Sequence, residues 1–223
     1  MTDTVIFDLD GTLLNTLDDL ADSVNFALDS FSLPGRSLDE IRRFVGNGVN
    51  TLVKRSVPDK TDAETTERVF SVFREHYLVN MENKTAPYGG ITELLEELKK
   101  LGFKTGVVSN KLDEAVKALC KKTFGSLIDF AKGAEGESDR KPDPTNVYKC
   151  IEALGAEKEN CIYVGDSEVD LKTAENAALR CVSVLWGFRT KEELLPFGAD
   201  LFIEKPSELI ETIENLNGNG GKI

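Results

Sequence analysis

The stretch Thr4-Val5-Ile6-Phe7-Asp8-Leu9-Asp10-Gly11-Thr12 decides the fold. Its first four residues are apolar or β-branched without alternation, the pattern of a strand buried on both faces in a parallel sheet covered by helices. The run then ends abruptly in acids and a glycine. Side chains two apart on an extended segment point the same way, roughly 7 Å apart, so Asp8 and Asp10 face one small volume. Two carboxylates converging there are costly unless a cation lies between them or one is protonated. An ordinary Asp-Gly turn explains the same residues with no ligand at all, and this stretch alone leaves the two readings level.

Working outward, three more runs of the same kind follow, Lys104 to Val108, Cys161 to Val164 and Arg180 to Leu185, with helical periodicity between them, as in Ile91 to Leu101 and Glu114 to Lys122. That alternation describes a doubly wound α/β fold, a Rossmann-like parallel sheet with helices on both faces. One segment interrupts it. Leu17 to Phe31, Leu38 to Phe44, Gly48 to Arg55 and Ala63 to Val79 are helical in pattern, with Pro34-Gly35 and Pro58-Asp59 as punctuation. A strandless block of about 70 residues is too long for a crossover connection. The sequence therefore predicts an α-helical domain, residues 15–84, inserted into an α/β core made of residues 1–14 and 85–223. Leu14 to Thr16 and Thr85 to Gly90 are the linkers, and the Gly/Asn-rich Asn215 to Gly221 is expected to fray.

Composition narrows the function. The 223 residues are 40% hydrophobic, enough for a sizeable core, and the formal net charge is -12. Such a chain repels nucleic acid and anionic membrane surfaces. No apolar run reaches membrane-spanning length, and the N-terminus lacks the basic and apolar regions of a signal peptide. Cys120, Cys150, Cys161 and Cys181 contain no Cys-x-x-Cys pair, so they read as reduced thiols of a cytoplasmic protein. The one histidine, His76, rules out multi-histidine zinc sites and reads as a packing residue. Neither a Gly-x-Ser-x-Gly elbow nor a phosphate-binding Gly-x4-Gly-Lys-Ser/Thr loop is present.

Three more segments carry candidate chemistry. Ser109-Asn110 follows the second run, where hydroxyl and amide either bind a phosphate oxygen or cap the next helix. Lys141 lies in Arg140-Lys141-Pro142-Asp143-Pro144, a stiff turn that can hold a fixed charge against a phosphate, with Asp143 as cap of the following helix. Gly165-Asp166-Ser167-Glu168-Val169-Asp170 follows the third run. A capping box accounts for Ser167 and Asp170, but it does not require Asp166. Ligands of open parallel sheets bind beyond the carboxyl ends of the strands, and that is where these segments and Asp8-Asp10 fall. Acids, a lysine and a hydroxyl gathered there suit magnesium together with a phosphate.

Taken in order and spacing, Asp8-x-Asp10-Gly11-Thr12, Ser109, Lys141 and Gly165-Asp166-x-x-x-Asp170 resemble the four motifs of haloacid dehalogenase superfamily phosphatases, and the resemblance covers essentially the whole chain. It implies Asp8 as nucleophile, forming an aspartyl-phosphate, and Asp10 as acid and then base. It implies Mg2+ on Asp8, the Asp10 carbonyl and Asp166, with Asp170 in support. Gly11, Thr12, Ser109, Asn110 and Lys141 would bind the phosphoryl group, and the helical insertion would be a cap. Within the superfamily the chain is most similar to phosphoglycolate phosphatases, through Phe44-Val45-Gly46-Asn47-Gly48, Leu52-Val53-Lys54-Arg55 and Gly198-Ala199-Asp200. That likeness puts specificity in the cap around Arg43, Asn47 and Gly48. Asn15 departs from it, standing where many relatives carry an acid.

The implied activity is hydrolysis of a small anionic phosphoester by a monomer or homodimer, most like a phosphoglycolate phosphatase. Pyrophosphate, nucleotide or sugar-phosphate hydrolysis, or a phosphomutase of the β-phosphoglucomutase kind, uses the same scaffold. A regulatory binding protein that retains the fold would have lost Asp8, Asp10, Lys141 or Asp166, and all four are kept.

Overall fold

A computed structural model of the chain describes residues 1–219. In chain order it contains β1 (Thr4–Phe7), β2 (Leu14–Asn15), α1 (Leu17–Asp29), α2 (Leu38–Phe44), α3 (Val49–Ser56), α4 (Ala63–Asn80) and β3 (Ala86–Pro87). There follow α5 (Ile91–Lys100), β4 (Lys104–Leu112), α6 (Asp113–Thr123), β5 (Phe130–Ala134), α7 (Thr145–Ala153), β6 (Cys161–Gly165) and α8 (Glu168–Ala177). The chain ends with β7 (Arg180–Val184), α9 (Lys191–Leu194), β8 (Phe202–Ile203) and α10 (Glu208–Asn219).

Six strands form one sheet in the order β5-β4-β1-β6-β7-β8, every neighbouring pair parallel. The chain leaves β1 toward β4 and β5, then returns to build β6, β7 and β8 on the other side. The topological switch point thus falls at β1, and Asp8 follows its last residue. The strand pleat divides the core. Val5 and Phe7 join the larger apolar cluster with Leu94, Leu95 and Leu98 of α5 and Val116 and Leu119 of α6. Ile6 lies on the opposite face among Val147, Cys150 and Ile151 of α7 and Ala174 and Ala177 of α8. All four residues of β1 are buried, as a strand covered by helices on both faces requires.

Between β2 and β3, which pair with each other as a short antiparallel ribbon, the chain forms α1 to α4. Local chemistry sets their starts. Ser37 and Glu40 close a reciprocal capping box on α2, and Asp62 accepts the Thr65 N–H at 2.8 Å to begin α4. Leu20, Val24, Ile41, Leu52, Val69 and Phe73 bury their side chains where these helices meet. Asp19 of α1 is buried and accepts the N–H groups of Lys84 (3.0 Å) and Thr85 (2.8 Å) at the far linker. His76 packs as expected, stacked on Phe26 with ring centroids 4.1 Å apart.

The structure corrects several expectations. β5 carries a lysine and a glycine, and β8 is two residues long, so neither shows an apolar run. β4 continues through Ser109 and Asn110 to Leu112 with a shift of register, so these residues neither end the strand nor cap α6, whose start has no side-chain cap. Residues 215–219 continue α10 instead of fraying, while Gly220 and Gly221 lie outside the described residues. The four cysteines are unpaired. Among the described residues no helix is long and apolar enough to cross a membrane.

Candidate active site

The carboxyl ends of β1, β4 and β6 bring the candidate residues together because the three strands are neighbours in parallel register. Lys141 is the hub. Its ammonium is buried, 2.7 Å from Asp8 Oδ1 and 2.7 Å from Asp170 Oδ1, and donates to the Tyr163 hydroxyl at 3.2 Å. The Lys141 turn is set by the Asn110 side chain, whose Oδ1 accepts the Lys141 N–H at 2.7 Å and whose Nδ2 donates to the Lys141 backbone carbonyl at 3.0 Å. Asp170 serves two purposes: its second oxygen accepts from the Ser167 N–H at 3.1 Å and hydroxyl at 2.6 Å, the helix-start pairing that the sequence suggested.

Asp8, Asp166 and Asp170 each offer an oxygen within 4.8 Å of the others, and all three are buried. Asp8 Oδ1 is buried with the Lys141 ammonium 2.7 Å away and no other donor among the described residues. Buried carboxylates with an undersatisfied oxygen fit a hard divalent cation. The backbone has been shaped around them. A Cβ on Gly11, where φ is +90°, would come within 2.3 Å of the Asp166 carboxylate, and one on Gly187 within 2.4 Å of Asp166 and of the Gly11 carbonyl. Asp166 is fixed further by the Phe188 N–H at 2.7 Å and the Thr12 hydroxyl at 3.3 Å.

Electrostatics follow from this crowding. Burial pushes the Asp8 carboxyl up to about 7, partly opposed by Lys141 and reinforced by Asp170. Burial, then the neighbouring Asp170 and Asp8, hold Asp166 well above the usual carboxylate range. For Lys141, burial pulls downward, but Asp170 and Asp8 outweigh it and the ammonium stays charged. A bound dication would reverse the direction for the acids.

Above these residues lies a cavity of about 40 Å³, lined from below by Asp8, Asp10, Ser109, Lys111 and Lys141 and from above by Leu20, Val45, Gly48 and Leu52 of the helical segment. Not every expected residue faces it. Gly11 and Thr12 do not line it; the Thr12 hydroxyl is spent on Asp166. Asn110 lines it, but its amide is spent on Lys141 and on the Gly46 carbonyl. Arg43 is exposed and pairs with Asp39, and the Asn47 carbonyl accepts from Arg55, so of the three cap residues only Gly48 reaches the wall.

Three residues escaped the sequence reading. Lys111, buried, pairs with Asp10 at 2.8 Å and lies 4.9 Å from the Tyr77 ring of α4. Tyr163 donates to the Val108 carbonyl at 3.2 Å and takes the third Lys141 contact. Arg189 joins the cavity wall from the loop after β7. Lys111 stands directly after Ser109-Asn110, the one local signal; the other two depend on tertiary placement.

Clustered acids and a buried lysine at a parallel sheet's switch point suit a divalent cation beside an anionic ligand. The chain belongs to the haloacid dehalogenase-like hydrolase family, whose model matches residues 5–184. It is 34% identical over 212 residues to a phosphoglycolate phosphatase of Aquifex aeolicus, covering 95% of this chain and 96% of that one. A phosphoglycolate phosphatase of Caulobacter vibrioides is also 34% identical, over 90% of this chain and 86% of its own. A crystal structure from Lactobacillus delbrueckii subsp. bulgaricus superposes with a TM-score of 0.90 at 33% identity, covering 96% of this chain and 99% of that one. The enzyme is a phosphatase.

Proposed function

We propose that the protein hydrolyses small phosphate monoesters with magnesium through an aspartyl-phosphate on Asp8, and that 2-phosphoglycolate is the first substrate to test. The observation that carries this reading is the Lys141 ammonium held 2.7 Å from both Asp8 and Asp170 inside a buried carboxylate cluster. Asp8, Asp166 and the Asp10 carbonyl would hold magnesium, with Asp170 in support. When bound, the ion supplies Lewis-acid charge against the phosphoryl oxygens and offsets the clustered acids.

The chain's own residues do the rest. An Asp8 oxygen attacks phosphorus, forming a new P–O bond as the bond to the substrate alcohol breaks, and Asp10 gives that alcohol its proton. Asp10 then takes a proton from water, which attacks phosphorus and breaks the Asp8–phosphoryl bond, releasing phosphate and restoring the carboxylate. Lys141 and Ser109 hold the transferring group in place, which is most of what phosphoryl transfer asks of a protein. Residues 15–84 act as a cap. A cavity of about 40 Å³ leaves little room for a phosphoester, so the cap lifts to admit substrate and closes again to exclude water. The small cavity beneath Leu20, Val45 and Leu52 favours a short alcohol over a nucleotide, in keeping with the names of the relatives.

A phosphoester panel with and without magnesium tests the reading. Preferential, magnesium-dependent release of phosphate from 2-phosphoglycolate supports it. Equal rates with chelator, or a preference for nucleotides or sugar phosphates, would overturn the metal or the substrate respectively.

A further inference from the structure

The C-terminus of α2 is finished in an unusual way. Helix ends leave their last carbonyls without backbone partners, and here five consecutive carbonyls, Arg42 to Gly46, are each met by a side chain. Arg189 donates to Arg42 O at 2.9 Å, Arg43 O at 3.4 Å and Val45 O at 2.9 Å. Arg55 donates to Phe44 O at 3.0 Å, and Asn110 to Gly46 O at 3.1 Å. Arg55 belongs to the cap itself, whereas Arg189 and Asn110 belong to the core. The grip is reciprocal, since Arg42 donates to the Phe188 carbonyl and pairs with Glu193 at 3.3 Å.

We propose that Arg189 is the positioning residue that clasps the cap shut over the active site. A guanidinium suits the task because its planar fork reaches several acceptors while its charge meets the negative end of the α2 dipole. Arg189 is buried, so the contact is dry. Its Nε donates to Glu168 at 3.0 Å, and Glu168 opens α8, the helix that carries Asp170. Asn110 holds Gly46 on one side and the Lys141 backbone on the other. The clasp therefore ties the loop roofing the cavity to the two elements that present Asp170 and Lys141. With the cap lifted, the Arg189 donors and the α2 carbonyls return to water, so the clasp is made only in the closed state and sets how much of it is populated.

The hydrolysis readout rests on the phosphatase reading above; an exchange readout does not. In Arg189→Met, kcat/KM should fall by about tenfold to a hundredfold, as expected for losing charge-assisted bonds to several carbonyls. The fall should be the same for 2-phosphoglycolate and p-nitrophenyl phosphate, since closure precedes both reactions, and should appear first as a raised KM. Arg189→Lys, a point donor in place of a fork, should recover only part of it. Amide hydrogen exchange over residues 45–52 should quicken while strands β1, β4 and β6 keep their protection. Activity within twofold of the unaltered enzyme, a fall confined to one substrate, or exchange quickened equally throughout would overturn the proposal. Should Arg189→Met fail to fold, Glu168→Gln, which frees the clasp from the α8 side, must show the same local exchange pattern in weaker form or the idea fails. An unaltered enzyme that hydrolyses no phosphoester would sink the functional reading while leaving the exchange result to judge the clasp.

Discussion

Asp8 sits where a charge is costly. Burial raises its carboxyl to about 7, so the ionised form that the proposed nucleophilic role requires depends on Lys141 and a cation at neutral pH. Asp8→Asn keeps the shape and removes the proposed nucleophile. Turnover should drop by at least about a thousandfold, with the far-ultraviolet circular dichroism spectrum unchanged and the metal-free melting temperature equal or higher. Lys141→Met has the opposite character. It strands Asp8 and Asp170 without their shared cation, and leaving a buried charge unpaired costs about 3–5 kcal/mol, so the melting temperature should fall by roughly 10 °C. A melt within 2 °C of the unaltered protein would show that the pair is not held as described. The acids and Lys141 were legible in the sequence because each sits at a strand end or on a stiff turn, where local pattern and chemistry coincide. Lys111 and Arg189 were not, because a lone basic residue beyond the end of an apolar run is usually a solvated one. What fixes them here are partners about 100 and 150 positions away, Asp10 and the α2 carbonyls.

Among the elements, the four central strands could be read from apolar runs, and the four helices between β2 and β3 from their periodicity and the Pro34-Gly35 and Pro58-Asp59 breaks between them. β5, with the sequence Phe130-Ala-Lys-Gly-Ala134, hides because its place at the sheet edge asks for less apolar surface. The length of β4 hides for a different reason: polar Ser109, Asn110 and Lys111 stay extended because each is engaged by the site rather than by solvent. The linkers, placed where the strandless block begins and ends, are joined by a contact no pattern announces. Asp19, an acid in the first turn of α1, looks like an ordinary helix-dipole residue, yet it accepts backbone N–H groups from Lys84 and Thr85 and so pins the second linker to α1. Asp19→Ala leaves those donors without an acceptor and should cost about 1–3 kcal/mol, read as a lower melting temperature and faster amide exchange at residues 84 and 85. Unchanged exchange there would show that water replaces the carboxylate without loss.

For the whole molecule, the net charge of -12 misleads about anionic ligands, because the acids that matter are gathered where a cation can answer them. That gathering also couples folding to pH and metal. Below about 4, Asp8 is protonated in both the unfolded and folded chains, and the cluster carries little penalty. As pH rises from its ordinary value of 3.8 to about 7, the unfolded chain has released the proton while the folded chain keeps it. The folded state then binds more protons, and stability must fall as pH rises through that window. Asp166, also raised by burial, adds to the slope in the same direction. A divalent cation held by these carboxylates removes the penalty, since it favours their ionised forms. The melting-temperature gain from magnesium should therefore be small near pH 4 and grow steadily to about pH 7, and Asp8→Asn should flatten the growth without abolishing it, because Asp166 remains. Scanning calorimetry across that range, with magnesium against chelator, decides the matter. A gain independent of pH would mean that the ion displaces no protons from these acids, because they are already ionised in the metal-free protein or because it binds elsewhere, and a gain that shrinks with rising pH would place the ion away from them.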